Sequence, residues 1–141
     1  MNKITKLTIY TDGGARGNPG PAGIGAVAYD EKGNTVFTVS EYIGEATNNQ
    51  AEYKAVIAAL EKAAGQGAQE LDVFMDSELA VKQLNREYKV KNQELAQLFL
   101  KIHNLTMSFK KVKYFHIRRE KNTQADRLVN NALDHATGKR R

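Results

Sequence analysis

The chain has 141 residues, 41% of them hydrophobic and 26% charged, with a formal net charge of +5. That is enough chain for one domain with its own core, and too ordinary a composition for a fibrous or disordered protein. It contains no cysteine, which excludes disulfides and thiolate metal centres, and no long apolar run follows Met1-Asn2-Lys3. We therefore expect a cytoplasmic protein with neither signal peptide nor membrane span, whose basic balance permits an anionic polymer as partner without demanding one.

The first predicted strand runs from Ile4 to Asp12 and is rich in β-branched and aromatic residues. It ends in a carboxylate and enters a glycine-rich stretch, Gly13-Gly14-Ala15-Arg16-Gly17-Asn18-Pro19-Gly20. A phosphate-binding loop would need Gly-Lys-Ser/Thr leading into a helix; here a second apolar run, Ile24 to Tyr29, follows instead. The glycines therefore shape a strand-to-strand connection. Asp30 to Asn34 reads as a hairpin turn and Thr35 to Ile43 as a third strand, giving an antiparallel meander. The period then changes. Ala55, Val56, Ala59, Leu60 and Ala63 mark a helix that Thr47 or Asn48 can cap and that Gly65 and Gly67 end.

Leu71 to Met75 is a short apolar strand ending in Asp76-Ser77, and helical spacing resumes with Leu79, Ala80, Gln83 and Leu84. Asn85 to Lys91 is a polar, basic connection. Asn92 opens a helix carrying Leu95, Leu98, Phe99, Ile102 and Leu105, and Lys110 to Arg118 alternates as a fifth strand. The last helix spans Thr123 to His135. We expect a single domain over residues 1–137 and a basic C-terminal tail over 138–141.

Four acids fall at telling places. Asp12 and Asp76 end strands, while Glu52 and Asp126 begin the inward stripes of helices. Each has an ordinary alternative: a surface turn for Asp12, a favourable helix-dipole position for Glu52, a neighbour of the capping Ser77 for Asp76. Open α/β sheets bind ligands at the carboxyl ends of their strands. Four carboxylates gathered there cannot all stay ionised without a compensating charge. Hard divalent cations with oxygen ligands would supply it, and two ions about 3.5–4 Å apart suit in-line phosphodiester hydrolysis. Zinc is disfavoured by the absence of cysteine and the scatter of the three histidines.

The ordered set of motifs resembles ribonuclease H of type 1: Thr11-Asp12-Gly13-Gly14 with Gly17-Asn18-Pro19-Gly20, then Thr47-Asn48-Asn49-Gln50-Ala51-Glu52, then Asp76-Ser77, then Asn122 to Asp126. The resemblance implies an α/β protein of the ribonuclease H-like fold, with a five-stranded mixed sheet (three antiparallel, then two parallel strands) flanked by helices. It implies cleavage of the RNA strand of RNA–DNA hybrids with two Mg²⁺ or Mn²⁺ ions, leaving 5′-phosphate and 3′-hydroxyl ends. Asp12, Glu52, Asp76 and Asp126 match the family's catalytic metal-binding acids. Asn18, Asn48 and Gln50 match positions that read minor-groove edges and 2′-hydroxyls, and Thr47 and Asn92 match residues that hold a phosphate of the DNA strand. Their alternatives are helix caps and turn formers.

The chain departs from the family pattern twice. The link from Ile117 to Asn122 is too short for the histidine-bearing loop that many members carry before the last acid. His116 is expected within the fifth strand in a structural role, leaving Arg118 or Arg119 as candidates to neutralise developing phosphate charge. Between Asp76 and Asn92 there is only a short connection, with no tryptophan-containing basic helix. Both departures resemble the compact branch of the family found in archaea and some bacteria. We accordingly expect a monomer with modest, salt-sensitive hybrid affinity, and double-stranded RNA as a further partner to test. Two alternative readings share the fold: a non-catalytic module binding hybrid or double-stranded RNA, and a nuclease or strand-transferase acting on DNA. The Asn and Gln cluster disfavours the latter.

Overall fold

The computed structural model describes residues 5–138; Ile4 and the tail beyond Gly138 lie outside the described residues. Alternating apolar residues place Leu7 and Ile9 of β1 (Lys6–Ala15) in the core, followed by β2 (Gly20–Tyr29) and β3 (Thr35–Ala46). After the meander come α1 (Asn48–Gly65), β4 (Glu70–Met75), α2 (Glu78–Leu84), α3 (Gln93–Thr106), β5 (Lys111–His116) and α4 (Thr123–Thr137). The sheet order is β3-β2-β1-β4-β5. β1 pairs antiparallel with β2 and parallel with β4, and β4 pairs parallel with β5. The expected mixed sheet is therefore present, with β1 at the boundary between its two halves.

The helix boundaries follow local chemistry. Thr47 caps α1 through a reciprocal capping box: its hydroxyl accepts from Gln50 N–H and the Gln50 side chain accepts from Thr47 N–H. Ser77 accepts from Ala80 N–H to cap α2, and Asn92 accepts from Leu95 N–H to cap α3. α1 packs over β1 and β2 and is itself covered by α3, while α4 crosses β2, β3 and β1. No helix among the described residues is long and apolar enough to cross a membrane.

Several strand ends differ from expectation: β2 begins at Gly20 rather than Ile24 and β3 runs on to Ala46 rather than Ile43, because the two pair along their whole length. β1 does not stop at Asp12: it runs on to Ala15 because its antiparallel partner continues, pairing Gly13 with Ile24 and Ala15 with Ala22. What stops at this point is the parallel partner, whose last pair is Thr11 with Met75. β5 ends at His116 rather than Arg118. Ile117 N–H still donates to Met75 carbonyl at 2.9 Å, after which Arg119–Lys121 form one 3₁₀ turn leading into α4.

Candidate active site

At the carboxyl edge of the two parallel strands, one carboxylate oxygen from each of Asp12, Glu52 and Asp76 lies within 4.8 Å of the others. Two glycines make this convergence possible. A Cβ on Gly13 would lie 2.3 Å from Ala51 C and O and 2.6 Å from Glu52 N, so only glycine lets the first turns of α1 descend onto β1 beside Asp12. Gly25, the β2 partner of Asp12, does the same for α4, since its Cβ would lie 2.5 Å from Ala125 carbonyl. Those two close approaches carry Glu52 and Asp126 toward Asp12. Asp126 stands outside the tight trio but lines the same cleft, of about 440 Å³, and its charge and a hydrogen bond act on Asp12.

The electrostatics are those of crowded acids. Burial, then the charges of Asp76 and Asp126, push the Asp12 carboxyl up from 3.8 to about 8, against a lowering by Gly13 N–H, which donates to its Oδ1 at 3.0 Å. Glu52 is held well above the usual carboxylate range, first by burial and then by Asp12 and Asp76; Gly13 N–H and the Arg119 guanidinium oppose that rise. Glu52 Oε1 is buried with no hydrogen-bond partner. An orphaned carboxylate oxygen turned among two further acids fits a bound divalent cation, which would satisfy the lone pairs and the charge together.

Asn122 was not singled out from sequence as a site residue, although it opens the last motif. It stands at the N-cap position of α4 without making a side-chain cap. Instead its Nδ2 donates to the Thr11 carbonyl and to Asp76 Oδ2, both at 2.9 Å, and the residue is 1% exposed. It thus ties α4 to the strand ends and orients Asp76. On the other flank, Asn130 donates to the carbonyl of Asp126 at 3.1 Å and Arg16 reaches both Asp134 (2.7 Å) and Asn130 (3.3 Å), so the β1–β2 loop is bound to α4. No local sequence signal marked Arg16 or Asn130.

The expected substrate-binding residues fall into two groups. Asn48 lines the cleft together with Asn49; its Oδ1 accepts from Ala15 N–H at 2.8 Å, and its own N–H donates to Asn18 Oδ1 at 3.0 Å. Thr47, Gln50 and Asn92 lie outside the lining and serve as caps. Gln50 Nε2 donates to Glu94 at 3.0 Å, which ties together the N-terminal ends of α1 and α3. The two arginines separate sharply. Arg119 lines the cleft, whereas the Arg118 side chain is 82% exposed and pairs with Glu120 at 4.0 Å. His116, exposed at the end of β5, does not line the cleft.

A mixed β3-β2-β1-β4-β5 sheet with acids gathered where its parallel pairing ends defines a ribonuclease H-like domain. Residues 10–132 match the family described as reverse transcriptase-like, and the chain belongs to that family, within its ribonuclease H branch. It is 46% identical over 132 residues to the bifunctional protein Rv2228c of Mycobacterium tuberculosis, covering 93% of this chain but only 36% of that protein. It is 42% identical over 131 residues to ribonuclease HI of Halobacterium salinarum, covering 93% of this chain and 66% of that one. Among solved structures it is similar to LC11-RNase H1 in complex with an RNA/DNA hybrid, with a TM-score of 0.89 and 53% identity over 93% of this chain and 99% of that chain.

Proposed function

We propose that this chain is a metal-dependent endonuclease that hydrolyses the RNA strand of RNA–DNA hybrids, leaving 5′-phosphate and 3′-hydroxyl ends. The observation that carries the reading is the Asp12–Glu52–Asp76 trio with its unpartnered, buried Glu52 oxygen. Two Mg²⁺ or Mn²⁺ ions held by Asp12, Glu52, Asp76 and Asp126 would supply the charge that activates water and stabilises the leaving oxygen. The chain's own residues prepare for this. Asn122 holds Asp76 in one orientation, Gly13 N–H holds Asp12, and Arg119, in the cleft lining, would meet negative charge developing on the phosphate. Asn18 and Asn48, locked to each other and to Ala15, offer amide groups to the minor groove and its 2′-hydroxyls, the feature that separates RNA from DNA. Thr47 and Asn92, at adjoining helix N-termini, offer a seat for a phosphate of the DNA strand.

The hybrid bound to LC11-RNase H1 supports the choice of substrate. The test is an end-labelled RNA–DNA hybrid beside matched RNA and DNA duplexes, each with Mg²⁺, with Mn²⁺ and with chelator. Cleavage of the RNA in the hybrid, abolished by chelator and by Asp76→Asn, is the expected result. An intact hybrid under every metal condition would leave only a binding module.

A further inference from the structure

On the helix side of β5, away from the carboxylate edge, a cavity of about 290 Å³ opens between the C-terminal half of α3, the end of α2 and the start of β5. It shares no lining residue with the acidic cleft. Phe99, Ile102 and Phe109 contribute apolar and aromatic surface to it. Its charged lining is Arg86, Lys110 and Lys111, with His103 beside them, and no Asp or Glu among the described residues lines it.

Two features of this cavity bear on what it can hold. The Tyr114 hydroxyl in its wall is buried and has no hydrogen-bond partner among the described residues, a costly state for a group that can both donate and accept. Arg86, next after the Asn85 cap of α2, has φ 65°, a left-handed conformation at a place that glycine occupies without strain. The turn closes α2, with Glu87 N–H donating to the Lys82 carbonyl at 2.8 Å, and arginine rather than glycine at its left-handed position costs backbone strain, which points to use of the side chain. Its guanidinium lies 2.9 Å from Nδ1 of His103, and it makes no ion pair with a carboxylate among the described residues. Aromatic surface, an unsatisfied phenol and three cations that form no ion pair among the described residues therefore meet in one place, although Glu70 stands across from Lys111 in the sheet.

We infer that this cavity is a second binding site, for a small ligand that joins a flat apolar body to a phosphate, of the nucleoside 5′-monophosphate class. The body would lie against the Phe99 and Phe109 side, the phosphate would meet Arg86, Lys110 and Lys111, and the Tyr114 hydroxyl would gain the partner it lacks. A bare anion would leave the apolar surface unfilled, and a neutral aromatic would leave the cations unanswered. The inference does not depend on the activity proposed for the cleft, because the two sites share no residue.

The test is calorimetric titration of adenosine 5′-monophosphate, adenosine and inorganic phosphate into the whole chain with chelator present. The nucleotide should bind at one site, at least about tenfold more tightly than either half. Arg86→Gly should weaken it by about tenfold or more while its urea unfolding midpoint does not fall, since glycine relieves the left-handed strain. Tyr114→Phe should weaken it a few-fold, and Asp76→Asn should leave it unchanged. Absence of binding at millimolar nucleotide would overturn the inference, as would phosphate binding as tightly as the nucleotide. So would binding that survives Arg86→Gly but changes with Asp76→Asn, which would put the ligand in the cleft.

Discussion

Replacing Asp12 by Asn should stabilise the metal-free protein, and do so in a pH-dependent way. In the folded chain burial and two neighbouring acids raise the Asp12 carboxyl from 3.8 to about 8. A group whose pKa is raised on folding contributes its stability fully below the unfolded value, and that stability is lost as pH rises through the folded value. Wild type should thus weaken progressively between about pH 4 and pH 8, and Glu52, shifted in the same direction, adds to the trend. The climb from 3.8 to about 8, at ~1.4 kcal/mol per pH unit, sets a ceiling of roughly 6 kcal/mol on what Asp12 loses. The asparagine amide also gives up hydration on burial, and the Glu52–Asp76 repulsion remains, so we expect a net gain of about 2 kcal/mol near pH 9. The gain should shrink toward zero near pH 4, where wild-type Asp12 is itself neutral. Urea unfolding in chelator at several pH values measures this directly. Adding Mg²⁺ should stabilise wild type by mass action and the variant much less. A gain equal at acid and alkaline pH, or a loss at alkaline pH, would refute the account of Asp12 as a buried, repelled carboxylate.

Gly13→Ala should cost about 2–3 kcal/mol and most of the hybrid cleavage, because its Cβ would meet backbone atoms of Ala51 and Glu52 that have no room to yield. Gly14→Ala, with nothing within 4 Å of its Cβ, should leave the unfolding midpoint nearly unchanged. Asn122→Ala removes one buried and one partly buried hydrogen bond, so about 1–3 kcal/mol of stability should go. Turnover should then fall about tenfold with little change in KM, measured with excess Mg²⁺, since Asp76 loses its orientation. Arg119→Ala should slow turnover about tenfold while Arg118→Ala leaves it intact, because only Arg119 lines the cleft. Single-turnover cleavage of one labelled hybrid compares the two.

The element types were legible along the chain because their signals are local. Thr47, Ser77 and Asn92 announce helix starts through bonds to residues three positions on, and the apolar periods of α1 and β4 survive unchanged in the core. The four acids could be picked out by the same means, from their places at strand ends and on inward helical stripes. Only the assembled structure decided that β1 runs past Asp12, because strand length there depends on β2, whose partners lie about ten residues on. It alone showed that Gly13 and Gly25 let two helices reach the sheet, that Asn122 forgoes a cap to hold Asp76, and that Arg119 rather than Arg118 enters the cleft. The physical reason is range. Periodicity, caps and turns are fixed by neighbours within one or two turns of chain. Close approach, burial and the mutual repulsion of carboxylates arise only when segments dozens of residues apart are packed together.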